Sequence, residues 1–210
     1  PRDEFWYGAI QRVKRQFPGT LFLAEVYGQQ QATTIMSQGF DWAYDKDLLD
    51  KLKDGNLDNI RGYLGWQVSA GNTPKWSRFV ENHDEDRSAS TLGWPKRAAL
   101  GAAVCFTLPG MRFVYEDQWR GWKNKLDIHL LRAAPESDIP DSLSFFKTLF
   151  SIMQMQAVRN GQFNMCSIQN SSQSWRLMAW RWSHNSGQKV LVVINYSDQS
   201  GSGTIDQTDL

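Results

Sequence analysis

The chain has 210 residues, enough for one good core or for one domain and part of another. A formal net charge of +1 supplies no long-range field for nucleic acid or an anionic membrane surface. No apolar run reaches membrane-spanning length, and no positively charged leader precedes an apolar core.

Only two cysteines occur, Cys105 and Cys166. Cys105 sits among Ala102, Ala103, Val104 and Phe106 and reads as a small buried residue rather than part of a disulfide framework. The compartment therefore stays open. The chain opens at Pro1 directly on a helix start, which suggests that sequence upstream is missing.

Asp3 is placed as an N-cap, followed by Phe5, Trp6, Ala9, Ile10 and Val13 at helical spacing and stopped by Pro18-Gly19. Thr20 to Val26 is predicted as a strand, and Gly39-Phe40-Asp41-Trp42 as a shorter strand end. Asp47 to Lys53 forms a short helix closed by Gly55. A second helix uses Leu57, Ile60, Leu64 and Val68 and ends near Gly71-Asn72. The next strand runs through Phe79-Val80, a helix follows from about Pro95 to Thr107, and Met111 to Tyr115 is a strand again.

Strand and helix alternating at intervals of roughly thirty residues is a parallel α/β pattern. The rhythm changes after a helix from about Ser142 to Arg159. Trp175 to Trp182 and Lys189 to Ile194 flank the turn-forming Ser183-His184-Asn185-Ser186-Gly187 and predict a hairpin. The expected organisation is an α/β unit over residues 1–161 and an antiparallel β module over 162–210, whose polar tail reads as an incomplete end.

Two apolar runs end in acidic groups: Leu21-Phe22-Leu23-Ala24 reaches Glu25, and Phe79-Val80 reaches Glu81-Asn82-His83-Asp84. Barrel strands deliver catalytic side chains to their C-terminal mouth in this way. Carboxylates on two strand ends point to acid/base chemistry on a sugar or ester. Glu25 lies between apolar residues that would desolvate it and favour its protonated form. Asp84, beside His83 and three residues before Arg87, has neighbours that would keep it ionised.

Other readings of these residues remain open. His83 with Asp84, Glu85 and Asp86 could hold a cation. Glu85 and Asp86 otherwise solvate the loop or cap the following helix. Asp41 is either a catalytic-face residue or a turn former. His129 and His184 read as structural or exposed, and Arg61, Arg97 and Arg12-Lys14-Arg15 as solvated helix faces. Ten tryptophans either fill the core or offer stacking faces to a carbohydrate.

Four segments in order resemble the α-amylase family, glycoside hydrolase family 13, over nearly the whole chain. Leu21 to Tyr27 resembles the fifth-strand motif with the acid/base glutamate. Gly39-Phe40-Asp41-Trp42-Ala43-Tyr44-Asp45 is similar to the sixth-strand segment, and Phe79 to Asp84 to the seventh-strand motif. Thr107 to Glu116 is similar to the entry to the eighth strand.

The resemblance implies an α/β fold: the second half of a (β/α)8 TIM barrel followed by an antiparallel β-sandwich. It implies retaining cleavage of α-glucosidic bonds in α-glucans or oligosaccharides, with transglycosylation or non-catalytic sugar or partner binding as alternatives. Glu25 takes the general acid/base role and Asp84 that of the transition-state stabiliser. His83, Tyr27 and Asp41 take substrate-binding positions.

The family's nucleophilic aspartate lies in a Gly-x-Arg-x-Asp motif, and Pro1 to Trp6 resembles the segment just after it. Asp117 stands where many members place a glycine. No metal site or cofactor is evident in these residues, calcium is left open for the complete protein, and neither nucleic acid nor membrane is an expected partner.

Overall fold

A computed structural model describes residues 3–71, 75–130, 134–169 and 173–206. Helix α1 (Asp3–Gln16) leads into β1 (Leu23–Ala24), α2 (Gln29–Ser37), β2 (Trp42–Tyr44), α3 (Lys46–Asp54) and α4 (Leu57–Ser69). Then follow β3 (Trp76–Arg78), α5 (Ala98–Thr107) and β4 (Met111–Arg112). The four strands form one parallel sheet in the order β1-β2-β3-β4. Leu23 stands opposite Trp42, Ala43 opposite Trp76, and Ser77 opposite Met111. Parallel neighbours need crossover connections, which the intervening helices provide. Because the strands run the same way, Glu25, Asp45 and the run from Phe79 to Asp84 leave the sheet at one end.

Local chemistry explains most boundaries. The Asp45 side chain caps α3 by accepting from the Leu48 N–H at 3.2 Å, and Gly55 ends it with φ 75°. Asn56 caps α4 by accepting from the Asp58 and Asn59 N–H groups. The Asp3 side chain, expected as a cap, and Asn72, expected at the end of α4, lie outside the described residues.

Two elements differ from expectation. Helix α2 was not predicted, because Gln29-Gln30-Gln31 and Thr33-Thr34 leave it without an apolar stripe; only Ala32 is buried. The helix expected from about Pro95 is present: the backbone breaks at Gly93 (φ 82°) and Trp94 and then winds from Pro95 into α5. The helix expected from Ser142 to Arg159 is two, α6 (Pro140–Met153) and α7 (Gln156–Asn160), separated at Gln154-Met155.

The remaining strands are β5 (Gln162–Cys166), β6 (Ile168–Gln169), β7 (Leu177–Ser183), β8 (Lys189–Asn195) and β9 (Thr204–Ile205). β5, β7 and β8 form an antiparallel sheet in that order, and β6 pairs with β9. The predicted hairpin is β7–β8, with Ser183 opposite Lys189.

The largest core lies between the helices and this antiparallel sheet. Leu48, Leu52, Ile60, Leu64, Ala102 and Phe106 from the helices meet Met178, Trp180, Trp182 and Ile194 from the strands. Cys105 is buried there as a free thiol, as its apolar neighbours predict.

Polar atoms in this core are paired across it. The Trp182 indole donates to the Thr107 carbonyl at 2.7 Å, one of the acceptors that the end of α5 leaves without a helical partner. The Trp180 indole donates to Thr107 Oγ1 at 3.2 Å, and the Tyr196 hydroxyl donates to the Leu52 carbonyl at 3.0 Å. The strands thus hold the ends of α3 and α5 in place.

Replacing the fully buried Trp180 by alanine is expected to cost about 3–5 kcal/mol in urea unfolding. The helical and tryptophan signals should still melt in one transition. Two separated transitions in the unmutated protein would show that the shared core does not couple the two halves.

Candidate active site

Glu25 follows β1, and His83 and Asp84 sit in the loop that follows β3. The fold brings the three together. His83 Nε2 lies 3.4 Å from Glu25 Oε1 and 3.5 Å from Asp84 Oδ2, and the three donor atoms lie within 4.8 Å of one another. The Tyr27 hydroxyl approaches Glu25 Oε1 at 3.3 Å. Burial, and then the charges of Glu25 and Asp84, push the Tyr27 phenol up to about 12, so it is a hydrogen-bond donor at neutral pH. Tyr44, at the end of β2, is raised in the same direction by burial and by the same two carboxylates. Its ring packs on Phe79 and Phe113 with centroids 5.0 and 5.6 Å away, forming an apolar floor.

The loop carrying His83 and Asp84 is braced from within. Glu81 is buried and accepts from Arg87 Nη1 at 2.8 Å, the Ser88 N–H at 2.7 Å and Ser88 Oγ at 2.6 Å. Arg87 Nη1 also donates to the Glu116 carbonyl at 2.6 Å, and the guanidinium stacks on Tyr115. Asn82 Oδ1 accepts from the Asp84 and Glu85 N–H groups, an Asx turn that projects His83 and Asp84 outward. Lys125 Nζ donates to the Asp84 carbonyl at 2.6 Å. A second buried pair, Asp45 with Arg78, ties the end of β2 to β3. Tyr63 donates to the same carboxylate at 2.5 Å.

Several expectations are corrected here. Glu25 is 44% exposed, because β1 is the outermost strand of the sheet; the burial expected from its apolar flanks is absent. Arg87 serves Glu81, not Asp84. Asp41 lies at the other end of the strands, where it accepts from Lys14 Nζ at 2.5 Å and the Phe22 N–H at 2.8 Å; it braces the sheet away from the cleft. Lys14 is therefore an ion-pair partner rather than a free solvated cation. Glu85 neither caps a helix nor merely solvates the loop. It joins Lys53 at 2.5 Å and Lys46 at 3.3 Å.

A cleft of about 390 Å³ opens beside His83 and Asp84, its other wall made by Lys125, Leu126, Asp127, Ile128 and His129. Sequence reasoning did not foresee this wall; His129, read as structural or exposed, is exposed and lines it. The available signal was position alone: these residues follow β4, on the face where loops line a parallel sheet's mouth. No tryptophan lines this cleft among the described residues; Trp76, Trp180 and Trp182 are buried instead. Asp117 adopts φ 58°, a conformation glycine takes without cost, and its carboxylate accepts from Arg120 Nε at 2.7 Å.

Arg87→Met would leave Glu81 buried without its counter-charge and should cost about 3–5 kcal/mol in urea unfolding. A loss below about 1 kcal/mol would mean the brace is dispensable. Burial alone would raise the Glu85 carboxyl, but Lys53 and Lys46 outweigh it and hold the carboxyl below its usual range. A depressed folded value stabilises above the unfolded value of about 4.3 and is lost as pH falls through the folded one. Glu85→Gln should therefore lower the melting temperature at pH 7, and the difference should shrink below about pH 4.3. An equal difference at both pH values would contradict the pairing.

No protein-family model matches the chain, and no curated protein matches it. Solved structures do. A maltogenic α-amylase from Thermotoga neapolitana matches with TM-score 0.73 at 22% identity, over 93% of this chain and 46% of that one. An α-amylase from Lactobacillus plantarum matches with TM-score 0.73 at 21% identity, over 95% and 50%. A cyclic α-maltosyl-(1→6)-maltose hydrolase from Arthrobacter globiformis, in complex with maltose, matches with TM-score 0.72 at 19% identity, over 92% and 46%. The chain spans about half the length of these structures. Its fold is the one that enzymes of the α-amylase family share over that half.

Proposed function

We propose that this chain belongs to a glycoside hydrolase of the α-amylase type that cleaves α-glucosidic bonds with retention of configuration. In this reading the four parallel strands are the second half of a (β/α)8 barrel, and residues from 162 form its C-terminal β domain. The observation that carries it is the meeting of Glu25 and Asp84 at His83 from two separate strand ends.

Glu25 protonates the leaving glycosidic oxygen and later activates water. Asp84, with His83, holds sugar hydroxyls and favours the oxocarbenium-like ring as positive charge develops. Tyr27 donates from its phenol to Glu25 and orients that carboxylate. Support for an α-glucan also comes from the likeness in fold to a hydrolase that holds maltose.

The spacing raises a question of roles. Retaining enzymes place acid and nucleophile about 5–5.5 Å apart, and a carboxylate oxygen of Glu25 lies within 4.8 Å of one of Asp84. The resemblance gives Asp84 the stabilising role and assigns the nucleophile to a third carboxylate. Among the described residues, the only acidic side chain lining the cleft besides Asp84 is Asp127, on its far wall. Residues 1–210 alone are therefore expected to bind maltooligosaccharides without cleaving them. Release of reducing sugar by the purified chain would overturn that division of roles.

In the protein carrying the closed barrel, Glu25→Gln should lower turnover by about 10²–10⁴-fold. Unchanged turnover on α-glucans would remove Glu25 from the acid/base role. A high ratio of transfer product to free sugar would redirect the reading to a transglycosylase built on the same carboxylates.

A further inference from the structure

We infer that Glu25, His83 and Asp84 form a binding site for a divalent transition metal, zinc above all. The ion would compete with the sugar for the mouth of the sheet. The competition rests on the glucan reading above; the metal site itself does not.

The geometry points to a metal rather than to hydrogen bonding alone. His83 Nε2 stands 3.4 Å from Glu25 Oε1 and 3.5 Å from Asp84 Oδ2. Both separations exceed the 2.7–3.2 Å of a good N–H···O bond. They match instead the edge of a coordination tetrahedron: with zinc–nitrogen and zinc–oxygen bonds of about 2.0–2.2 Å, neighbouring ligand atoms lie about 3.3–3.6 Å apart. The third edge, between the two carboxylate oxygens, is no longer than 4.8 Å. Both carboxylates are about half exposed, so a side-chain rotation can close it without moving the core.

The backbone beneath is preset. Asn82 holds the turn at Asp84, Lys125 holds the Asp84 carbonyl, and Glu81 with Arg87 fixes the loop's base. Three protein ligands would leave one tetrahedral position open toward the cleft, for water or a sugar hydroxyl. The donor set also selects the ion. One imidazole with two carboxylates suits zinc and its transition-metal neighbours, whereas magnesium and calcium want more oxygen ligands than the site offers. A bound ion would occupy the oxygen atoms that Glu25 and Asp84 need for a glycosidic bond, so zinc would act as an inhibitor released by chelation.

The test is calorimetric titration of zinc chloride into the purified 210-residue chain, with magnesium chloride as the comparison ion. One zinc per chain and no magnesium binding are expected. His83→Ala and Glu25→Gln, which alter two different strand ends, should each weaken zinc binding at least about tenfold while leaving the circular dichroism spectrum intact.

Absence of saturable zinc binding, or native affinity in both variants, would overturn the site. Maltotriose should weaken zinc binding in proportion to its own occupancy. Maltotriose that binds without disturbing zinc would overturn the competition. Zinc binding in a chain that takes up no maltotriose would uphold the metal site and count against the glucan reading instead.

Discussion

The mouth of the parallel sheet depends on one buried ion pair, Glu81 with Arg87. A carboxylate taken out of water without a counter-charge is costly enough to unfold a marginal domain. Here every lone-pair direction that matters is used: Arg87 and both donors of Ser88 converge on Glu81. The chain between Glu81 and Ser88 is thereby closed into a loop with fixed ends. The guanidinium reaches further, to the Glu116 carbonyl and the face of Tyr115, so the loops after β3 and β4 share one anchor. His83 and Asp84 stand at the tip of that loop, and their position is a consequence of what lies beneath them.

The same division recurs at the neighbouring strand. Asp45 and Arg78 are fully buried, and Asp45 also receives Tyr63 and caps α3. The side chains nearest the candidate chemistry, Glu25, His83 and Asp84, are by contrast partly exposed. Burial therefore sorts the charges of this face. Those that hold the scaffold are buried and face one another rather than the cleft. Those that meet solvent keep unsatisfied acceptor positions, which a sugar hydroxyl or a cation can take.

The apolar runs ending in Glu25 and in the Glu81 to Asp84 segment were legible because period and polarity change abruptly at a strand end. The hairpin of β7 and β8 was legible from its turn residues. What stayed hidden shares one cause: partners distant in the chain. Asp41 carries no local sign of whether it meets a sugar or Lys14. Arg87 lies nearer Asp84 in sequence yet turns to Glu81, because the loop folds back through Asn82. Helix α2 has almost no apolar stripe, and tertiary packing of Ala32 under the sheet decides it. The tryptophans were ambiguous one by one. Trp180 and Trp182 prove to be core residues whose indoles find acceptors at the end of α5, which composition cannot express.

One feature separates this face from a finished acid/base site. A general acid acts at neutral pH when its charged form is disfavoured, and desolvation is the usual means. Glu25 sits on the outermost strand with its side chain 44% exposed, flanked by exposed Leu21 and Tyr27. Phe5 and Tyr7 on α1 are exposed as well, and Trp6 with Val26 and Ile35 lines a hollow on the side of β1 and α2. A further strand paired with β1 would cover this apolar surface and remove water from Glu25 in the same step. Closing the sheet and tuning its acid would then be one physical event. On that view, geometry is already assembled by the loops after β3 and β4, while the electrostatic condition for proton transfer depends on what covers the edge of β1.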